Sequence, residues 1–274
     1  MTLIECALIV VVAVGLAIGA MLLVRRWAPD GSHYLNGDRA SGVFGVLATG
    51  FAVLLGLVVV LAFTSFDQSR SGAETEALLV NQQYETAQFM PAAQRDELGG
   101  ELVCYARSVV HQEWPRMVAG TEGNATNPWA VAMFRTIRKV DPQTTSEQAA
   151  FSKWLDQTSD RETARNDRTH GAAGVIPVSL WIVLWFSAAV IFVYMLLFAD
   201  SGEPKYVQAV MMGSVTAVVI SSLLLINVLD QPFSHGVGGL RPVAMQRALK
   251  VLAEEEAVAD DGTSPCDLQG LPTR

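Results

Sequence analysis

Cysteine is scarce in this chain, with three in 274 residues, at Cys6, Cys104 and Cys266. No two of them stand at metal-ligand spacing, which leaves no zinc-ribbon or Cys-x-x-Cys motif. Basic residues are few as well, 19 against 27 acids, for a formal net charge of −8. That balance argues against a nucleic-acid partner, because phosphate binding calls for a basic face. The four histidines, His33, His111, His170 and His235, lie far apart. There is no Gly-rich phosphate loop, no His-Glu-x-x-His and no Gly-x-Ser-x-Gly elbow. His111-Gln-Glu113 has the H-x-E shape of a zinc deaminase, but Pro265-Cys266 lacks the second cysteine such a site needs. The chain therefore reads as non-enzymatic, with no catalytic residue, metal site or cofactor.

Long apolar runs, by contrast, are plentiful. Hydrophobic residues make up 51% of the chain, and they gather in four blocks, residues 1–24, 45–64, 176–199 and 207–228. Each is long enough to cross a hydrocarbon core of ~30 Å as a helix. The first block reads as an anchor and not a signal peptide, since Glu5 stands where a positive n-region belongs. Gly15 and Gly19 in the first block, and Gly213, Ala217 and Ser221 in the fourth, mark close-packing faces. Residues 25–44 form a polar loop, 65–172 a segment large enough for a small domain, and 230–274 a tail.

The second block does not stop where lipid would. No proline interrupts the chain until Pro91, and only Gly72 weakens the helical character beyond the block. Phe66, Ala73, Ala77, Val80, Tyr84 and Ala87 keep to one helical stripe. The expectation is a single rod, half in lipid and half in water, whose wet stripe packs on a soluble domain. Asp67, Glu74, Glu76 and Glu85 line that rod. They read as a solvated face partly paired with Arg70, or, for Asp67 and Glu74, as a charged ring around an oligomer axis that would favour cations.

No strand pattern follows, so the domain is expected to be a helical bundle. Pro91 opens a helix carrying Leu98, Leu102, Tyr105 and Val109 on one side, which Pro115 should end. Asn127-Pro128 caps a short helix, and Thr144-Thr-Ser-Glu147 begins a longer one as a capping box. Arg241-Pro242 starts an amphipathic helix, and an acidic disordered end is expected from Glu254. The fold class is an all-α membrane protein with four transmembrane helices. A helical soluble domain is inserted between the second and third, and the second span continues as a long helix.

EALLVNQQY at 76–84, CYARSVVHQEWPRMVAG at 104–120 and LDQPFSHGVGGLRPVAMQRALKVL at 229–252, with the four-span layout, resemble the bacterial bestrophin-like membrane proteins. The function of that family is uncharacterised. Its Glu-Trp-Pro element falls on Glu113, Trp114 and Pro115, and its Asp-x-Pro-Phe element on Asp230, Pro232 and Phe233. These are read as structural, with Asp230 accepting from backbone amides or an arginine and holding the tail helix in place. True bestrophins are pentameric anion channels with an apolar neck on the second span. The resemblance implies a homo-oligomer of the bacterial inner membrane, in contact with lipid and ions, whose second span lines a pore. Phe51, Leu55, Val58 and Leu61 are then the constriction candidates. The alternative is a non-enzymatic scaffold or sensor whose domain binds an envelope partner.

Orientation is contested. Arg25 and Arg26 beside the first span put that end in the cytoplasm, and hence the soluble domain and tail outside. Arg161, Arg165 and Arg168 near the third span argue the reverse, and the arginines of the first helix take precedence. Cys104 and Cys266 share one side in this topology, so a disulfide is open to them, although two free thiols is the default reading.

Overall fold

A computed structural model describes residues 2–27, 33–34, 37–121, 126–236, 238–259 and 264–273. Among these there are helices and no strand: α1 (Leu3–Arg25), α2 (Gly37–Ala87), α3 (Ala92–Ser108), a π turn (Val109–Glu113), α4 (Trp114–Val118), α5 (Pro128–Ile137), α6 (Thr145–His170), α7 (Val178–Leu197), α8 (Lys205–Asp230) and α9 (Val243–Ala259). Among the described residues four helices, α1, α2, α7 and α8, are long and apolar enough to cross a membrane. The chain divides into two units, 1–64 with 175–230 and 236–238, and 65–174 with 231–235 and 239–274.

In the first unit α1 lies along α8. A Cβ at Gly213 would sit 3.4 Å from the Val14 side chain, so the small residue sets the approach of the two helices. Gly15 and Gly19 face open space and are not used this way within the protomer. Phe51 and Val58 of α2 pack with Leu184 and Ile191 of α7 and Leu223 and Ile226 of α8. Glu5 completes a capping box with Thr2 at the start of α1, where a carboxylate also suits the helix dipole. At the other end, Arg25 donates to Gln208 Oε1 (3.1 Å) and to the carbonyls of Ser201 and Glu203.

In the second unit, the expected wet stripe finds its partner. Val80, Tyr84 and Ala87 of α2 join Leu98, Leu102, Tyr105 and Val109, Met133 of α5 and Trp154 of α6 in one core. α6 passes tightly against Gly72, since a Cβ there would lie 2.5 Å from the Arg168 backbone nitrogen. The weak point in helix propensity is thus a packing requirement. Asn127 caps α5 through the Trp129 amide, and Thr144 and Glu147 form the capping box of α6.

Three expectations are corrected. Pro115 does not end the helix: α3 passes through the π turn into α4, and Pro115 sits in the first turn of α4, where a missing N–H is tolerated. The tail is not disordered throughout from Glu254, because α9 runs on to Ala259 and residues 264–273 fold back onto α3; residues 260–263 lie outside the described residues. Cys104 and Cys266 are not free thiols but a disulfide, with Cα atoms 5.7 Å apart. The returning segment is fastened by Trp129 Nε1 donating to the Gly270 carbonyl (2.7 Å). Gly270 has φ +78, and a Cβ there would lie 2.4 Å from the Ser108 nitrogen, so only glycine fits.

Candidate functional site: the second helix and its buried charges

α2 runs for 51 residues without a break, through Thr64, a length of about 75 Å at 1.5 Å per residue. Its two sides differ. One side is consumed by the chain itself: Phe51 and Val58 are buried against α7 and α8 with Leu55 partly buried beside them, and further along Ser69, Glu76, Val80 and Gln83 are buried. The other side is open and carries Val53, Leu57, Val60 and Leu61, then Thr64, Asp67, Ser71 and Glu74. At 100° per residue these fall within a single broad stripe. Thr64 donates its hydroxyl back to the Val60 carbonyl, which leaves the apolar stretch without an unsatisfied donor. Of the four constriction candidates, then, Phe51, Leu55 and Val58 turn towards the protomer's own core, and Leu61 stands on the open side. Asp67 and Glu74 are both exposed, and Glu74 pairs with Arg70 at 3.2 Å.

Glu76 is set apart from the other acids of the rod. It is fully buried and receives the Arg168 guanidinium through Nε and Nη2, together with the Tyr105 hydroxyl at 2.6 Å. Arg168 Nη2 also donates to Glu113 Oε2 (2.6 Å), and Glu113 Oε1 accepts from Arg165 (3.3 Å) and from Asn127 Nδ2 (2.8 Å). Burial alone would raise the Glu113 carboxyl, but Arg168 and Arg165 outweigh it and hold the group below its usual range. Burial also raises the Tyr105 phenol, and the neighbouring Glu76 adds to this, so Tyr105 stays a hydrogen-bond donor. Arg161 is buried too, bonded to Gln83 Oε1 (2.7 Å) and stacked 4.8 Å from the Tyr105 ring centre. The three arginines thus point into the second unit. Sequence reasoning missed Glu76, Arg161 and Arg168 as interior residues. The signal was there: Arg161, Arg165 and Arg168 follow the i, i+4, i+7 spacing of a buried stripe.

Glu113 belongs to the Glu-Trp-Pro element, and its neighbour Trp114 meets Phe233 of the Asp-x-Pro-Phe element edge-on, ring centres 5.3 Å apart. Trp114 Nε1 donates to the Leu240 carbonyl (3.4 Å), while the Pro232 carbonyl accepts from the Leu240 amide (2.6 Å). Pro232 and Phe233 of the one element are therefore brought together with Trp114 of the other in the second unit. Asp230, at the end of α8 in the first unit, accepts the backbone amides of Val175 (2.8 Å) and Ile176 (2.9 Å) through one oxygen. These amides precede α7, so the carboxylate holds the entry to the third span and not the tail helix. Among the described residues no group of His, Cys, Asp and Glu is arranged to hold a metal.

The chain matches a family model described as a bestrophin-like domain over residues 11–245. No curated protein matches it. Among solved structures, it is similar to a point mutant of a bacterial bestrophin homolog from Klebsiella pneumoniae, at 14% identity and a TM-score of 0.70, covering 90% of this chain and 99% of that one. A second structure of a bacterial bestrophin homolog from Klebsiella pneumoniae gives 15% identity and a TM-score of 0.66, covering 93% and 99%. At such identities the structural likeness speaks for the fold. The family model, which spans most of the sequence including both motif elements, speaks for kinship: the chain belongs to the bestrophin-like family.

Proposed function

We propose that this multi-pass membrane protein is one subunit of an oligomeric ion conductor whose pathway runs along the open side of α2. The observation that carries the reading is the division of that helix. Val53, Leu57, Val60 and Leu61 are 59–62% exposed and uncovered by the protomer, and the same side continues as Asp67, Ser71 and Glu74. Around an oligomer axis this stripe would form an apolar constriction followed by carboxylate rings, which favour cations. In this reading Leu61 is a constriction residue with Leu57, while Phe51, Leu55 and Val58 brace the helix.

We assign the unit that holds Cys104 and Cys266 to the extracytoplasmic side, because disulfides persist in oxidising compartments. Arg25 and Arg26 favour the same orientation. Purified protein in vesicles should pass cations in preference to anions, and Asp67→Asn with Glu74→Gln should lower that preference without changing the melting temperature. A monomeric particle with no flux under any salt gradient would overturn the reading and favour a scaffold. For the orientation, Phe89→Cys should react with a membrane-impermeant maleimide in intact cells; reaction only after lysis would reverse it.

A further inference from the structure

Among the described residues of the second unit, one buried acid stands outside the charge network. Glu101 of α3 is 6% exposed and lies at the seam between α3 and α5. Its Oε1 accepts the Thr136 hydroxyl (3.1 Å), whereas its Oε2 is buried without a hydrogen-bond partner among the described residues. Among the described residues no cation pairs with it directly. Lys139, just after α5, is spent on Glu97, one turn earlier on α3, at 2.8 Å. The other elements around α3 offer little to balance a charge. α9 contributes Met245, Ala248 and Leu252 to the shared core and keeps Arg247 and Lys250 exposed. The returning tail brings Cys266, already bonded, and Asp267, whose carboxylate accepts amides of its own loop. Arg161 of α6 and Glu76 of α2 are engaged one turn further along, at Tyr105.

We propose that Glu101 is a proton-binding site that closes the α3–α5 seam when neutral and loosens it when ionised. A neutral carboxyl with its hydroxyl bond to Thr136 suits this seam. A carboxylate there leaves one oxygen desolvated and unpaired, a cost relieved when the helices part and water enters. Burial, with a smaller push from Glu97, raises the Glu101 carboxyl to about 7, against the opposing pull of Thr136 and Lys139. The step is a single protonation, carboxylate plus proton to carboxyl, and needs no other reactant. Tyr105 follows Glu101 by one helical turn and donates to Glu76, so movement of α3 is felt at the upper half of α2. This site does not depend on the conduction reading and is tested without it.

The sign follows from the raised carboxyl. Stability from the proton is complete below the ordinary carboxylate range and is lost as pH rises through about 7. The full-length protein in detergent should therefore melt several degrees lower at mildly alkaline pH than at mildly acidic pH, and Glu101→Gln should flatten that profile. A carboxylic-acid C=O infrared band should be present in the wild type at mildly acidic pH and missing from Glu101→Gln. Lys139→Met, a surface change, should move the wild-type midpoint to higher pH. Parallel profiles for wild type and Glu101→Gln, an unchanged infrared band, or a midpoint indifferent to Lys139→Met would each overturn the proposal.

Discussion

Arg168 Nη2 and Glu113 Oε2 lie 2.6 Å apart in the interior of the second unit, and the same guanidinium also engages Glu76. One arginine of α6 thereby joins the π turn to the long helix α2. A buried ion pair gains little over a well-packed apolar pair, but losing one partner strands the others. Arg168→Met should cost about 3–5 kcal/mol in chemical denaturation. Arg168→Lys should rescue only part of it, because a single ammonium cannot reproduce the fork that reaches two carboxylates. A variant as stable as the wild type would show that the network carries no stability.

The pH dependence of that network runs opposite to that of Glu101. The Glu113 carboxyl is held below its usual range, so its contribution is present above that range and lost as pH falls through the lowered value. Acid should depress the melting temperature of the wild type more steeply than that of Glu113→Gln, which scanning fluorimetry across acidic buffers would reveal.

Cys104 and Cys266 close a loop of 162 residues in sequence separation. Cys104→Ser, or reduction of the wild type, should destabilise the second unit by about 2–4 kcal/mol. Adding reductant to the Cys104→Ser, Cys266→Ser double variant should change nothing further.

Gly270 sits in the left-handed region against the Ser108 backbone. Gly270→Ala should cost about 2 kcal/mol through backbone strain and displacement of the tail. Faster cleavage of the C-terminal segment by a non-specific protease is the readout; an unchanged rate would mean the tail tolerates the methyl.

Asp230→Ala removes the acceptor for the Val175 and Ile176 amides and should lower stability by about 2 kcal/mol. Asp230→Asn, which keeps a neutral acceptor, should recover roughly half. An unchanged melting temperature in detergent for the alanine variant would remove the role assigned to this carboxylate.

Periodicity and capping chemistry made much of the architecture legible. The unbroken α2, the capping boxes and the alternation of apolar blocks with polar segments are local properties, readable from spacing and residue type. What was not legible depends on partners distant in sequence. Glu76, one acid among several on the rod, is buried because Arg168, 92 residues later, meets it. The bond between Cys104 and Cys266 requires the tail to fold back, which no local pattern announces. The π turn before Pro115 likewise has no sequence period of its own to read.

By itself, the sequence determined which stretches wind into helices and which can live in hydrocarbon, because both follow from short-range sterics and the cost of exposing backbone to lipid. Only the tertiary structure decided which side of α2 is spent on its own neighbours and which remains open, and where each charge finds its counter-charge. A helix period gives the angle of a side chain about its own axis, but burial depends on what arrives from elsewhere in the chain.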